Sequence, residues 1–387
     1  MSHKIRILLT GGGSGGHIYP LIAVSQELKN IAYQNGSICE TRYFGEVDFF
    51  SKVFTDNEIG LTSIISSKFR RYFSFKNFID FFKLFLGFFE ALWKVFWFMP
   101  DAAFSKGGPG ALPVLFACKF YMIPIAIHES DSIPGLANII SGKLAKKVFV
   151  GFDSAAKYFS DKKDIEMVGN PIRRDLIVEQ QKNYVPKEQF NIESRKGLGF
   201  DIDTPLILVL GGSLGATRIN DFILENLGDF LRQFQILHQV GLNNYESYKK
   251  EFEFLSRDWS DIEKRRYQYR AYFMDDLINA YAACDLVLCR AGAGTIYELA
   301  YFGKPAILIP LLEAANNHQI ENARQYSETG AAMVMEQENF LGHLVIEKIA
   351  DLINNKDVTQ KMSLAAKGFY KADAAKNIAQ GILEIGS

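Results

Sequence analysis

The sequence predicts an α/β protein built from two doubly wound parallel sheets in tandem, their carboxyl edges facing across a cleft. Three observations carry this expectation. Short apolar runs alternate with helical patterns along nearly the whole chain, as parallel strands joined by crossover helices do. The order strand, glycine loop, helix occurs at residues 7–17 and again at 207–216, and each such opening suits a nucleotide-binding sheet. Finally, 387 residues are too many for one ordinary core and enough for two.

In chain order, first-half strands are expected at 5–9, 41–44, 102–105, 124–128, 147–150 and 165–168. Second-half strands are expected at 206–210, 235–240, 267–271, 286–289, 306–309 and 332–335. Helical patterns such as 21–31, 219–232 and 296–302 lie between them. The natural seam is Gly169-Asn170-Pro171, which gives a first domain of 1–170 and a second of 171–371. A last helix over about 372–387 is expected to pack back on the first domain.

Composition narrows the function. A hydrophobic share of 48% with 22% charged residues describes a globular chain, and a net charge of −1 carries no nucleic-acid signature. The charge is unevenly placed: residues 1–170 carry a balance of +4 and the remainder −5, which turns the first domain toward something anionic. Cys39, Cys118, Cys284 and Cys289 form no Cys-x-x-Cys pair and read as buried, reduced thiols of a cytoplasmic protein. The apolar stretch at 5–10 is too short for a signal-peptide core and reads as a first strand.

The loops carry the chemistry. Gly11-x-Gly13-x-x-Gly16 satisfies the dinucleotide fingerprint, but no clear acidic residue ends the second strand, Glu46 and Asp48 being nearest. A nicotinamide-dependent oxidoreductase is therefore the weaker reading. His17 would sit in the first turn of a helix, where the positive dipole end depresses its pKa and favours the neutral imidazole that a general base requires. A histidine that merely caps the loop is the alternative. Residues 104–110 form another strand-to-glycine turn, and His128-Glu129-Ser130-Asp131 ends a strand with four polar side chains. On one sheet edge these read as a site lining.

In the second half, residues 289–298 join a strand to a helix through small residues, and the free N–H groups of such a helix start suit a phosphate. Glu298 is placed to accept hydrogen bonds from a ribose diol; an exposed first-turn glutamate is the alternative. Asn316-Asn317-His318-Gln319-x-x-Asn322 makes a polar knot after Pro310. Asp201-x-Asp203 has the form of a metal-holding motif, but it precedes the strand at 206–210 and so lies at the amino end of that sheet. No metal site is inferred from it.

Taken together, these clusters resemble the MurG family of peptidoglycan N-acetylglucosaminyltransferases, which have the two-Rossmann-domain GT-B fold. The resemblance runs along nearly the whole chain in the family's order. It comprises Gly-Gly-Ser-Gly-Gly-His at 12–17, Gly107-Gly108, His128-Glu129, Val-Gly-Asn-Pro-Ile-Arg at 168–173, Gly-Gly-Ser at 211–213, the run Cys-Arg-Ala-Gly-Ala from 289, and His318-Gln319 with Asn322. It implies inverting transfer of N-acetylglucosamine from UDP-GlcNAc to the C4 hydroxyl of a lipid-linked muramyl-pentapeptide, without a cofactor. A UDP-sugar-dependent synthase of diacylglycerol glycolipids, or a non-catalytic nucleotide-sugar-binding membrane subunit, are the rival functions.

The resemblance also implies roles. Ser14, Gly15 and Gly16 would approach the donor's sugar and diphosphate, while Arg173 and Ser213 would hold the nucleotide and its phosphates. Met274 fills the position whose backbone reads the uracil edge. Ala293, Gly294, Thr295, Ile296, Tyr297 and Glu298 would cradle phosphate and ribose, and Gln319 would touch the GlcNAc hydroxyls. His17 becomes the favoured general base, ahead of Glu129. Two positions depart from the family pattern: Asp131 stands where an amide usually contacts the sugar, and Leu214 where a glutamine is usual.

Residues 69–98 are dense in aromatics. From Phe75 to Phe98 the polar or small positions are Lys76, Asp80, Lys83, Gly87, Glu90 and Lys94, a helical stripe. The opposite face, with Phe78, Phe82, Phe85, Phe89, Trp93, Phe96 and Trp97, is too wide to pack beneath a surface helix. The regular charges exclude a spanning helix. The expectation is an interfacial helix on an anionic membrane, assisted by Lys68, Arg70 and Arg71, at the cytoplasmic face of the cell membrane. A helix buried between neighbours is the alternative.

Overall fold

The computed structural model describes residues 4–46, 50–65, 75–159, 164–177, 186–212, 215–274, 276–311, 317–336 and 340–387, without the side chains of 75–82 and 187. Ser213, Leu214, Asn316, Lys68, Arg70 and Arg71 lie outside the described residues, as do the side chains of Phe78 and Phe82.

Contacts divide the chain into two compact units, residues 1–173 with 371–387, and residues 174–370. The first holds seven parallel strands: β1 (Lys4–Thr10), β2 (Ile38–Gly45), β3 (Gly60–Ser63), β4 (Ala102–Ser105), β5 (Ile125–Glu129), β6 (Lys147–Val150) and β7 (Ile165–Met167). Their order is β3-β2-β1-β4-β5-β6-β7. The second holds six: β8 (Leu206–Leu210), β9 (Gln235–Gln239), β10 (Tyr267–Arg270), β11 (Leu286–Cys289), β12 (Ala306–Leu308) and β13 (Ala332–Val334). These are also parallel, in the order β10-β9-β8-β11-β12-β13.

Apolar cores on both faces of the first sheet explain its sequence. In β1, Ile7 and Leu9 enter one core with Leu21, Leu28 and Tyr43. Leu8 enters the opposite core with Val114, Leu115 and Ile125. Strands covered on both faces read as unbroken apolar runs, and β1 is one that the sequence marks in this way. Edge strand β3 was not anticipated. Gly60-Leu61-Thr62-Ser63 is half-buried or exposed throughout, so nothing forces it to be apolar.

The last helix, Ala374–Gly386, packs on the first unit, where Ile378, Ala379, Ile382 and Ile385 join the core. Each buried isoleucine contributes about 1.5–3 kcal/mol. The approach is close: a Cβ on Gly381 would stand 2.6 Å from the Phe149 ring.

The aromatic segment forms one helix, Phe75–Phe98, and among the described residues no helix is long and apolar enough to cross a membrane. Part of its polar stripe points into the protein. Glu90 Oε2 accepts from the Ile65 backbone N–H at 2.7 Å, and Lys94 Nζ donates to the Ser63 carbonyl at 2.7 Å and to Glu90. A Cβ on Gly87 would collide with the Ile65 carbonyl oxygen. Ala91, Val95 and Phe98 fill the core between β-strands and the Leu112–Phe120 helix. The aromatic face is left in solvent: Phe89, Trp93 and Trp97 are 52%, 65% and 67% exposed, and Phe85 and Phe96 are exposed as well. The buried-helix alternative therefore fails for these side chains.

In the second unit Gly215 has φ +88°, and a Cβ there would meet the Val240 carbonyl oxygen and the Asn244 amide. Gly212 has φ +87°, with no described atom within 4 Å of its Cβ position. Gly215→Ala should lower stability by roughly 1–3 kcal/mol or more, through strain plus collision, and Gly212→Ala by the strain alone. Urea unfolding of both variants checks the order; equal losses would contradict it.

Candidate functional site

Each sheet reverses its winding direction between two adjacent strands, β1 and β4 in the first, β8 and β11 in the second. Parallel sheets open a crevice for ligands at the carboxyl ends of such a pair. The glycine loops lie there.

In the first unit, β1 runs into Gly11-Gly12-Gly13-Ser14 and β4 into Lys106-Gly107-Gly108. The two loops touch backbone to backbone. Gly107 and Gly108 have φ +86° and +94°, and a Cβ on Gly108 would stand 3.1 Å from the backbone of Gly12. The Tyr43 hydroxyl donates to the Gly11 carbonyl at 2.9 Å, and the Lys106 N–H to the Thr10 carbonyl at 3.0 Å. Gly13 and Gly16 have no described atom within 4 Å of their Cβ positions. Their backbone is open to a close approach. Ser14 is the N-cap of the Gly15–Gln34 helix without using its side chain for the cap.

His17 lies in the first turn of that helix, its ring against Gly12. Its Nδ1 is buried and has no hydrogen-bond partner among the described residues. Burial, then the positive charge of Lys106, holds its pKa down to about 4 against the opposing pull of Asp131. The imidazole is neutral near pH 7, but desolvation and a neighbouring cation account for it where the helix dipole was expected to.

Beneath the loops lies a polar network that the sequence did not disclose. Lys106 is buried and its ammonium donates to His128 Nδ1, to Ser130 Oγ and to Asn170 Oδ1. His128 Nε2 lies 2.8 Å from the Gly169 carbonyl, so this nitrogen carries the proton and Nδ1 accepts. Burial, then Lys106, holds His128 well below the usual histidine range. Glu129 Oε1 accepts from the Asp131 N–H at 2.9 Å and Oε2 from Asn138 at 2.8 Å. Burial, then Asp131, pushes its pKa up. Both its oxygens are engaged inside the protein, and Glu129 braces the Asp131 turn. Arg173, nearly buried, closes this side with its guanidinium 4.4 Å over the Tyr19 ring.

In the second unit, β8 runs into Gly211-Gly212 and its partner β11 into Arg290-Ala291-Gly292. Gln239, at the end of β9, spans two loops: its amide donates to the Gly212 carbonyl at 2.9 Å and its oxygen accepts from the Phe273 N–H at 3.3 Å. This fixes the backbone that precedes the exposed Met274. The helix Ala293–Phe302 starts at Gly292, and neither Gly292 nor Gly294 has a described atom within 4 Å of its Cβ position. The N–H groups of Ala293, Gly294 and Thr295 are thus those of an approachable helix start. Ile296 and Tyr297 are buried beneath it.

Glu298 follows one turn on and is only partly covered; the buried Tyr281 donates to its Oε2 at 2.8 Å. The carboxylate is therefore oriented, unlike that of a loose surface glutamate. Asn322 is fully buried and donates to the Ala291 carbonyl at 3.1 Å, while Gln319 Oε1 accepts from the Leu311 N–H at 3.1 Å. A ligand contact from Gln319 would then come from its amide nitrogen. Asp201 receives the N–H groups of Asp203 and Thr204 and shapes a turn before β8.

Residues 7–150 match the glycosyltransferase family 28 N-terminal domain, and residues 206–378 the family 28 C-terminal domain. A Clostridium botulinum protein, 35% identical over 356 residues, covers 91% of this chain and 92% of its own length. A Clostridium perfringens protein is 34% identical over 370 residues, with 94% and 96% covered. Both are named UDP-N-acetylglucosamine–N-acetylmuramyl-(pentapeptide) pyrophosphoryl-undecaprenol N-acetylglucosamine transferase. Among solved structures, Acinetobacter baumannii MurG superposes with a TM-score of 0.67 at 24% identity, covering 98% of this chain and 99% of the other. The UDP-GlcNAc 2-epimerase of Neisseria meningitidis, bound to UDP-GlcNAc, superposes at 0.68 with 14% identity, covering 98% and 100%. At these identities the structures establish likeness of fold.

Proposed function

The chain belongs to glycosyltransferase family 28, and on that premise we propose that it moves N-acetylglucosamine from UDP-GlcNAc to the C4 hydroxyl of a lipid-linked muramyl-pentapeptide. The observation that carries this is the match, over 91–94% of the chain and at 34–35% identity, to transferases of that name. Incubation with UDP-GlcNAc and a short-chain lipid-linked muramyl acceptor tests it: the acceptor should gain the mass of one GlcNAc as UDP is released.

The second unit holds the donor. The start of the Ala293–Phe302 helix receives phosphate, Glu298 receives the ribose hydroxyls, and the backbone at Met274 meets the base. Ser213 and Gln319 add donors to phosphates and sugar, and Arg173, which belongs to the first unit, is the further donor proposed for the diphosphate. The first unit supplies the base. Neutral His17 takes the proton of the C4 hydroxyl as that oxygen attacks the anomeric carbon, and the bond to UDP breaks on the opposite side, inverting the centre. The buildup of charge on the leaving diphosphate is met by helix N–H groups and the Arg173 guanidinium. Ser14 and Gly16 offer accessible backbone to the transferring sugar, Gly15 being buried between them, and Asp131 accepts a hydrogen bond from it.

The acceptor's lipid sits in a bilayer, and the first unit has a face to meet it. Phe85, Phe89, Trp93, Phe96 and Trp97 continue into the exposed Phe116 and Phe120 of the neighbouring helix. A groove of about 440 Å³ runs between the two helices, lined by Phe85, Phe88, Pro113 and Phe120. Lys119, Lys143 and Lys146 line a second groove that shares Lys119 with the first. Aromatics flanked by lysines suit an anionic surface. The protein then works peripherally, on the cytoplasmic face of the membrane.

Replacing His17 with Ala should cut turnover about 10²–10⁴-fold while leaving UDP-GlcNAc affinity nearly unchanged. Near-normal turnover removes the histidine from the mechanism. Glu298→Ala should weaken UDP-GlcNAc binding by about 1.5–3 kcal/mol, and a 2′-deoxy donor should bind wild type and variant alike. An undiminished preference for the ribose donor in the variant would show that Glu298 does not read the sugar. Substituting Ser at Phe89, Trp93 and Trp97 together should abolish most vesicle binding and slow transfer to long-chain acceptors, with short-chain transfer spared. Unchanged sedimentation with anionic vesicles would sink the membrane reading.

A further inference from the structure

In the second unit the helix Ala293–Phe302 is tied to a shorter one, Leu277–Ala283, which begins shortly after Met274. Lys304, buried just beyond the longer helix, donates to the Ala282 and Cys284 carbonyls at 3.3 and 2.7 Å, at the far end of the shorter one. Tyr281 makes the second tie. It is wholly buried, its ring stacks on Phe302 at 4.7 Å and 15°, and its hydroxyl donates to Glu298 Oε2 at 2.8 Å. Glu298 and Phe302 are four residues apart and so stand on one face of their helix, one above the other. A tyrosine lying along that face meets both, with its ring on Phe302 and its hydroxyl on the carboxylate. The packed ring therefore fixes where the hydroxyl points, and the hydroxyl orders a carboxylate that is itself only half-buried.

We infer that Tyr281 is a positioning residue for nucleoside recognition: its buried hydroxyl holds the Glu298 carboxylate in the attitude in which it accepts from a ribose diol. The inference rests on Glu298 being the ribose contact. A diol presents two O–H donors at a set spacing, and a carboxylate meets them best in one plane. A carboxylate can accept about four hydrogen bonds, so the one from tyrosine does not exhaust it. A glutamate side chain ordered beforehand also loses less conformational freedom when the ligand arrives. The converse arrangement is a glutamate that serves only to satisfy the phenol, since a buried hydroxyl needs an acceptor in any case. Ligands that differ by one hydroxyl separate the two.

Calorimetric binding of UDP, 2′-deoxy-UDP and cytidine diphosphate to the whole protein makes the test, and it needs no turnover. Wild type should prefer UDP over both other ligands, and Glu298→Ala should lose the preference for UDP over 2′-deoxy-UDP. Tyr281→Phe keeps the ring on Phe302 and removes only the hydroxyl. It should shrink the ribose preference about two- to tenfold, the cost of ordering one long side chain, with 2′-deoxy-UDP bound as by wild type. Its preference for uridine over cytidine diphosphate should not change, because Lys304 and the stacked ring still hold the helix that follows Met274. Should Tyr281→Phe not fold, Tyr281→Met fills the space without a donor and should shrink the ribose preference likewise. An undiminished ribose preference in the folded variant overturns the proposal. So does an equal loss of affinity for all three ligands, which is what a loosened fold gives. If Glu298→Ala also keeps the ribose preference, the assignment of Glu298 falls together with this one; if only Glu298→Ala loses it, Glu298 stands and the role of Tyr281 alone falls.

Discussion

The first site depends on one close approach, that of Gly12 to Gly108. A Cβ on Gly108 would stand 3.1 Å from the other backbone, closer than nearly all real side-chain contacts, and the φ of +94° already favours glycine there. With no side chain between them, the ends of β1 and β4 meet as bare backbone. The His17 ring then lies on that seam, and the buried Lys106 side chain runs to His128, Ser130 and Asn170. Gly107 extends the constraint, since a Cβ there would overlap the Asn138 amide that holds Glu129. In the second unit the ends of β8 and β11 are joined by the same kind of backbone bond, Arg290 N–H to the Leu210 carbonyl at 3.3 Å, and Gln239 braces β8 from its other side, tying Gly212 to Phe273 through its two amide ends.

Burying ionisable groups is costly unless each finds partners. Lys106 is satisfied by three acceptors, and Glu129 by a backbone N–H and an amide. The network also decides a tautomer. Because His128 Nε2 faces the Gly169 carbonyl, its Nδ1 can accept from the lysine and from nothing that needs the reverse. The ends of β4 and β5 and the loop after β7 are thereby joined by side chains as well as by the sheet. Such a network is stiff, because loosening one member strands another without a partner. Stiffness is what a base needs, since its reach to the acceptor oxygen is set to within tenths of an ångström.

How far the sequence could be read follows from the same physics. Among the described residues twelve of the thirteen strands declare themselves: the inner ones are covered on both faces and so must be apolar, and the edge strands β7, β10 and β13 still carry Ile165 and Met167, Tyr267 and Tyr269, and Met333 and Val334. β3 does not, being an edge with no buried face to fill. The glycine loops and His17 are legible because they are contiguous in the chain. Lys106 was visible only as part of a glycine turn; its partners lie 22, 24 and 64 residues away, and no local pattern pairs them. Tyr281 reaches Glu298 from another helix, 17 residues upstream. Asn138 and Gln239 look in the sequence like ordinary polar residues in a helix and at a strand end. Their work is defined only when the loops arrive.

The Phe75–Phe98 helix shows a pattern whose period is legible and whose direction is not. A polar stripe opposite an aromatic face commonly means that the aromatics are buried. Here β3 supplies the reason for the reverse. Lys94 bonds the Ser63 carbonyl at the end of this edge strand, and Glu90 the Ile65 N–H just beyond it. Gly87 lets the helix come close enough for those bonds to form. Once that face is committed, Ala91, Val95 and Phe98 are the positions that reach the core, and the large rings are carried to the outside. A soluble chain rarely exposes so broad an apolar face without something to cover it. The proposed bilayer contact answers that need, and it answers a second one. An acceptor held by a long polyprenyl tail leaves the membrane at a cost of about 0.8 kcal/mol per CH₂, so the enzyme has to travel to it. The edge strand that the sequence concealed is thus what turns the aromatic face outward, as the proposed bilayer contact requires.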